Sequence, residues 1–247
     1  MKYLNPRLPP EKILAGYSAG SDENFISQAS AREMTFERCL QAIEKVRPGR
    51  GRILDVGTAG GSFLQAAAKR GWEVAGCEPN QWLCDWARDH YGLSIQPGTL
   101  SDLPHSWKNS FDVVTFWDVL EHVSDPKTTL QECRLFLKPG GILVVNYPDI
   151  DSWISRLMGR RWVFLLSVHL TYFTRDTLTR FLQETGFAPL RWQPHFQQLE
   201  LEYLFQRMNA YSSFLSKTGL GCVRFLGLGK LRIPYWLGQT LVLAKQA

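Results

Sequence analysis

The sequence predicts an α/β protein built on a doubly wound, mostly parallel sheet of seven strands, with helical cap insertions late in the chain. Two observations carry this reading. Short apolar runs that read as buried strands alternate with helical periods from residue 52 to 147, and such alternation implies parallel strands joined by helical crossovers. The first of these runs, Arg52-Ile-Leu-Asp-Val56, ends in Gly57-Thr-Ala-Gly-Gly61 and passes directly into a helical pattern. Strand, glycine turn and helix together bring backbone amides and a helix N-terminus up to a ligand.

The elements follow in order. Residues 1–20 are punctuated by proline and glycine and read as irregular. From Ser21 to Val46, Phe25, Ile26, Ala29, Met34, Phe36, Cys39, Leu40 and Ile43 recur at helical spacing, and Arg47-Pro-Gly49 ends the run. The strand at 52–56 is followed by a helix over 61–70 that Gly71 closes. A second strand, 73–77, ends at Glu78; Asn80 caps a helix over 81–90. A short strand is predicted at 93–96, a loop from Pro97 to Ser110, and a buried strand at 111–117. Asp125 with Pro126 reads as a cap and first helical position, and Leu130, Cys133 and Leu137 form that helix's core face. Lys138-Pro-Gly-Gly141 reads as a break before a strand at 142–145.

After Tyr147 the rhythm changes. Residues 148–170 are rich in Trp, Arg and apolar side chains without a clean period. Thr174 caps a helix carrying Leu178, Phe181 and Leu182, and Gly186 stops it. A strand at 187–193, a mostly helical stretch to about 230 and a strand at 239–245 complete the pattern. With no internal repeat, the reading is one domain over 1–247: an N-terminal helical segment (1–47), a ligand-binding core (48–147) and two substrate-cap insertions (148–172 and 195–238).

Composition narrows the class. Apolar residues make up 45% and charged residues 21% of the 247, as in a folded globular chain. No apolar run is long enough to span a bilayer, and the N-terminus has no secretory pattern. The five cysteines are odd in number and form no C-x-x-C, which argues for reduced thiols and a cytoplasmic location and against a zinc knuckle. The net charge of +5 is mild.

The glycine turn constrains its ligand. A dinucleotide fingerprint needs glycine at positions one, three and six, where this turn has Gly57, Ala59 and Ser62. No Gly-Lys-Ser/Thr is present for a phosphate-binding P-loop. Amides beside Asp55 suit a small zwitterion, whose carboxylate meets the amides and whose amine meets the acid.

Asp55-Val-Gly57-Thr-Ala-Gly-Gly61 resembles the first motif of the class I S-adenosylmethionine-dependent methyltransferases, whose fold is Rossmann-like. Glu78 closing the second strand, Asp102 before the fourth, Phe111-Asp-Val-Val, Val119-Leu-Glu-His122 and Leu137-Lys-Pro-Gly-Gly141 extend the likeness over residues 50–147. His169-Leu-Thr-Tyr-Phe173 is similar to a broad small-molecule and glycan-type branch that includes ubiquinone-type O-methyltransferases. The resemblance implies S-adenosyl-L-methionine as cofactor and S-adenosyl-L-homocysteine as product. It places the Gly57 and Gly61 amides, with Thr58 between them, at the methionine portion and Asp55 near its ammonium. Glu78 would accept from both ribose hydroxyls, Asp102 from the adenine amine, and the Leu103 amide would serve the ring. Pro79 and Trp82 would cover the adenine, with Trp117 and Tyr17 also against the cofactor, Tyr17 having ordinary packing as its alternative reading. Ala59 stands where the family most often has glycine, which is tolerable at negative φ.

Methyl transfer from a sulfonium is an in-line displacement, so the protein's work is to align the acceptor and exclude water. An oxygen acceptor also benefits from a base. His122 and His169 are the candidates, each with an alternative reading as a structural hydrogen-bonding histidine. Asp118, Glu121 and His122 are similar to the Glu-x-x-Glu-His segment in which ubiquinone-type enzymes can bind a divalent metal, with aspartate departing at the first position; structural bonding is the preferred reading, and no metal is expected. The leading expectation is methylation of an oxygen, rather than a nitrogen, on a small-molecule or glycan-type acceptor. Nucleic-acid methylation is disfavoured, because the fourth strand ends Thr-Phe-Trp-Asp118 and no separate basic domain is present. A catalytically silent cofactor-binding partner subunit is the non-enzymatic alternative. The aromatic and basic second insertion reads as a helical cap, or as a surface for a lipidic or anionic acceptor at a membrane interface. Oligomeric state is not legible.

Overall fold

A computed structural model of the chain describes residues 2–3, 9–18, 29–209 and 212–247. Strand β1 (Lys2–Tyr3) and helix α1 (Pro10–Ser18) come first. This corrects the irregular reading of residues 1–20: Pro10 suits a first helical position, and the Glu-Lys-Ile-Leu-Ala behind it are mostly good helix formers. Helix α2 (Ala29–Val46) takes up the next predicted helix; its expected start at Ser21 lies outside the described residues.

The alternation then runs in the predicted order through β2 (Arg52–Val56), α3 (Ser62–Lys69), β3 (Glu73–Glu78), α4 (Gln81–Tyr91), β4 (Gln96–Pro97, shorter and later than the expected 93–96), β5 (Phe111–Trp117), α5 (Pro126–Phe136) and β6 (Leu137–Pro148). The expected caps form: Asn80 Oδ1 accepts from the Leu83 amide at 3.2 Å, and Asp125 accepts from the amides of Lys127 and Thr128. Lys138-Pro-Gly-Gly141 does not separate helix from strand. Leu137 pairs with Phe111 and Ile142 with Val113, so these residues bulge within one continuous β6.

Beyond β6, the first insertion contains α6 (Trp153–Met158), a 3-10 turn (Gly159–Arg161) and β7 (Thr171–Tyr172), which pairs with β1. Helix α7 (Arg175–Glu184), capped by Thr174, leads to β8 (Phe187–Pro194). The second insertion, mostly helical by sequence, also holds a ribbon. Strands β9 (Gln197–Glu200) and β10 (Arg232–Tyr235) pair antiparallel around α8 (Leu201–Met208) and α9 (Ser213–Phe225). Each strand is four residues long and finds its partner two helices away, so neither leaves a period to read. Strand β11 (Gln239–Gln246) returns to the main sheet.

That sheet has seven strands in the order β4-β3-β2-β5-β6-β11-β8. Pairing is parallel from β4 to β6, and β11 runs antiparallel between β6 and β8. The period of two sorts the strand residues to two faces. Ile53, Val113, Val144 and Leu243 pack under α2, α3 and α4 with Leu40, Ile43, Phe63 and Ala87. Leu54, Val114, Val145 and Val242 pack on the other face with Leu130, Cys133, Leu178 and Leu182. Among the described residues, no helix is long and apolar enough to cross a membrane.

Candidate active site

The parallel strands β2, β3 and β5 all point their C-terminal ends at one cavity of about 1560 Å³. At the end of β2 the turn is left-handed at three positions: Gly57 (φ 67), Ala59 (φ 50) and Gly61 (φ 75). The negative φ expected of Ala59 is therefore not adopted. Its amide instead turns toward β3 and donates to Glu78 Oε2 at 2.9 Å, a bond that offsets the strained backbone. A Cβ on Gly57 would lie 2.8 Å from Val119 Cγ2, so glycine is required there by contact as well as by φ.

The amides expected at the cofactor's methionine portion are engaged inside the protein. Gly57 donates to the Cys77 carbonyl at 2.9 Å and Gly61 to the Thr58 carbonyl at 3.0 Å, and Gly61 is not in the cavity wall. Gly57, Thr58, Ala59 and Gly60 do line it, as do Asp55 and Glu78. The difference follows from the left-handed turn, which folds the Gly57 and Thr58 N–H groups back onto β3 and the Gly61 N–H onto the turn itself.

Asp55 is buried and accepts from its cross-strand neighbour Thr115 Oγ1 at 2.5 Å. Burial pushes its carboxyl up to about 7, against the pull of the Thr115 hydrogen bond. Glu78 is also buried and raised by desolvation, although both oxygens accept backbone amides, Oε2 from Ala59 and Oε1 from Asn80 at 3.0 Å. Each oxygen retains acceptor capacity beyond those bonds. Glu78 thus locks the glycine turn to the start of α4 and presents a carboxylate to the cavity.

Next along the wall come Pro79 and Leu83, with Leu83 in the place expected for Trp82. Asp102 and Leu103 do not reach the cavity. The Asp102 carboxylate accepts from the Thr99 amide at 2.8 Å and the Thr99 hydroxyl at 2.9 Å, capping its own 3-10 turn, and Leu103 is buried in the core. Thr99, Leu100 and Ser101 line the wall instead. Tyr17 lies on α1, but its side chain falls outside the described residues.

The opposite wall starts at Trp117, whose ring packs against Phe36 and Phe63 at 5.1 and 5.0 Å. Asp118 follows with φ 53, and its Oδ1 accepts from Asn146 Nδ2 at 2.7 Å and Gln239 Nε2 at 2.6 Å. Burial raises this carboxyl to about 6, against those two donors. Asn146 is fully buried on the cavity wall, and its Oδ1 has no partner among the described residues. Sequence reasoning missed Asn146 and Gln239. The signal for Asn146 was its place in the apolar run of β6, where an amide is costly unless it is used.

His122 reaches the cavity, while His169 sits behind it, buried, with ring centroids 4.6 Å apart. His122 Nδ1 lies 3.0 Å from the Val168 carbonyl and donates to it, which leaves Nε2 as the acceptor nitrogen of the neutral ring. Burial lowers the pKa of His122, and lowers that of His169 to about 4 with help from the His122 charge. Asp118, Glu121 and His122 do not converge as a metal-ligand set. The atoms that do converge, within 4.8 Å, belong to Glu121, His122 and His169, and Asp118 is bound elsewhere. Glu121 is buried with neither oxygen paired among the described residues, and its carboxyl is raised well above the usual range by burial and the Asp118 charge.

An acid-closed second strand beside a left-handed glycine turn, over a parallel sheet with one antiparallel strand, defines an S-adenosylmethionine-dependent methyltransferase. A family model described as a methyltransferase domain matches residues 30–191, and the chain belongs to that family. It is 31% identical over 179 residues to a ubiquinone biosynthesis O-methyltransferase of Cereibacter sphaeroides, covering 68% of this chain and 70% of the relative. It is 36% identical over 136 residues to the protein of the same name from Alkalilimnicola ehrlichii, covering 52% and 53%. The fold is shared with S-adenosylmethionine-dependent methyltransferases of known structure. One from Thermotoga maritima has TM-score 0.60 at 18% identity over 96% of this chain and 98% of that one. One from Archaeoglobus fulgidus has TM-score 0.59 at 19% identity over 91% and 100%. The methyl donor is S-adenosylmethionine and the product S-adenosylhomocysteine.

Proposed function

We propose that the chain methylates an oxygen of a small acceptor with an apolar body, and that residues 148–172 and 195–238 form the cover over that acceptor. The observation that carries this reading is the second half of the cavity wall. Val163, Phe164 and Leu166 come from the first insertion, and Leu199, Leu204 and Met208 from the second. Gln197, Gln198, Gln206 and Arg207 stand among these side chains, so the wall suits an apolar ring or chain that carries polar substituents, whose apolar body is buried favourably against it. The names of the curated relatives agree with a small-molecule acceptor.

In the proposed reaction the cofactor lies along the glycine turn, with Glu78 toward its ribose and Asp55 toward its ammonium. The acceptor oxygen attacks the methyl carbon in line as the carbon–sulfur bond breaks, leaving a neutral thioether. The hydroxyl proton passes to His122 Nε2, and His169 positions His122 from behind. Asp118, held by Asn146 and Gln239, fixes the Asn146 amide so that its oxygen can accept from a second donor group of the acceptor and orient it. No step runs through a metal.

Calorimetry with S-adenosylhomocysteine, followed by turnover of small hydroxyl compounds with methyl-labelled cofactor, tests the scheme. Glu78→Gln should weaken cofactor binding at least about tenfold, whereas His122→Gln should leave binding intact and lower kcat by about 10²–10⁴-fold. The acidic limb of the wild-type rate should fall below pH 6.5, since burial moves His122 down from that value. Unchanged turnover in His122→Gln would reject the base assignment.

A further inference from the structure

Helix α9 turns an unusual face outward. Phe214 and Phe225 are 73% and 89% exposed, yet Ser216 and Val223 on the same helix are buried. Phe214 and Phe225 are eleven residues apart, three turns plus about 20°, so they share one face, and the buried pair lies close to 180° away. The helix is held from beneath by α8: Gly219 sits so near the Phe205 ring that no Cβ would fit. Helix α8 in turn lines the cavity through Tyr203, Leu204, Arg207 and Met208. The outer face of α9 is therefore a fixed plate, one layer removed from the cofactor cavity, and Leu226, Leu228 and Leu231 extend it as further exposed apolar side chains.

The charge around the plate is mainly positive. From Tyr203 to Ala247 the sequence has no Asp or Glu but six cations, of which Lys217, Arg224, Lys230 and Arg232 belong to α9 and the segment that follows it, while Arg207 lines the cavity and Lys245 lies on β11 beside Gly140. Lys217, one turn from Phe214, and Lys230, beside Leu231, are exposed. Arg224 is engaged by Glu202 at 2.6 Å, which fastens α9 to α8.

We propose that this face docks on an anionic lipid bilayer, with α9 lying in the interfacial plane, its two phenylalanines inserted between acyl chains and its lysines at the headgroups. An amphipathic helix with aromatic residues on one side, cations beside them and no acid has the chemistry of an interfacial anchor. A second copy of the chain would bring the exposed Lys217 and Lys230 of each protomer to both sides of a two-fold contact, which disfavours it.

Co-sedimentation of the full chain with vesicles tests this. Binding is expected to vesicles of phosphatidylglycerol mixed with phosphatidylcholine, little to phosphatidylcholine alone, and less as salt rises. The double variant Phe214→Ser/Phe225→Ser should lose about tenfold or more in vesicle affinity while keeping S-adenosylhomocysteine affinity, which separates docking from folding. Lys217→Gln/Lys230→Gln should reduce the preference for anionic lipid. Absence of vesicle binding, or equal binding by the serine variant, overturns the proposal. So does a dimer in light scattering that the serine variant dissociates without any lipid effect, since the face would then belong to a second copy.

Discussion

Ala59 combines an L side chain with a φ of 50, a conformation that costs roughly 1–2 kcal/mol where glycine would cost little. Replacing it with glycine gives back part of that cost to unfolded-chain entropy, so Ala59→Gly should stabilise the protein by about 1 kcal/mol in urea unfolding. No change, or a loss, would mean that the turn relaxes around alanine. The sequence marked Ala59 as a departure from glycine but did not reveal the sign of its φ, because that sign is set by the bond to Glu78 on the neighbouring strand. Asp102 illustrates the same difficulty. Ser-Asp-Leu-Pro suits a self-capping turn and a ligand contact equally, and its carboxylate accepts from Thr99. Asp55 and Glu78 were more legible, since an acid at the end of a buried strand has few reasons to be there.

At the scale of elements, the central strands β2, β5, β6 and β11 were readable because each is largely an apolar run buried on both faces, and the caps because Asn80, Asp125 and Thr174 stand directly before helical periods. The β9–β10 ribbon was not, since its stability comes from pairing at a distance and from contacts such as the Gln198 amide donating to Thr35 Oγ1 on α2 at 2.9 Å. The β2–α3 turn permits a sharper test of element packing. Gly57→Ala meets both a positive φ and Val119, and should cost about 2 kcal/mol or more. Adding Val119→Ala should remove the contact part and leave the backbone part, which a double-mutant cycle in thermal or urea unfolding would resolve. Full additivity of the two changes would show that the contact is not the obstacle.

For the whole molecule, the buried acids give stability a direction in pH. Asp55 at about 7 lies well above the 3.8 of an ordinary aspartate, so the folded chain holds a proton that the unfolded chain releases. That contribution is complete below the ordinary value and is lost as pH rises through the folded one. The histidines work the other way, because His169 and His195 are lowered to about 4 and penalise folding as pH falls below 6.5. Above pH 6.5 their effect is spent. Between pH 6.5 and 8 the unliganded protein should therefore lose about 1 kcal/mol through Asp55, and Asp55→Asn should flatten that slope in urea midpoints. A wild-type stability that rises across this window would contradict the buried-acid picture.

Strand β11 follows every other strand in the chain, yet it lies between β6 and β8 and hydrogen-bonds to both. During synthesis the parallel half of the sheet can assemble as it emerges, but β8 has no place in the main sheet until residues 239–246 leave the ribosome. Until then β6 offers a long, apolar, unpaired edge, the kind of surface that recruits other chains. Deleting residues 239–247 should therefore give aggregated protein on expression rather than a smaller soluble enzyme, even though the deletion leaves β2, β3 and the glycine turn intact. Closure of the sheet therefore waits on its most C-terminal strand, and the nascent protein is most exposed to misassembly in the interval between the emergence of β6 and that of β11.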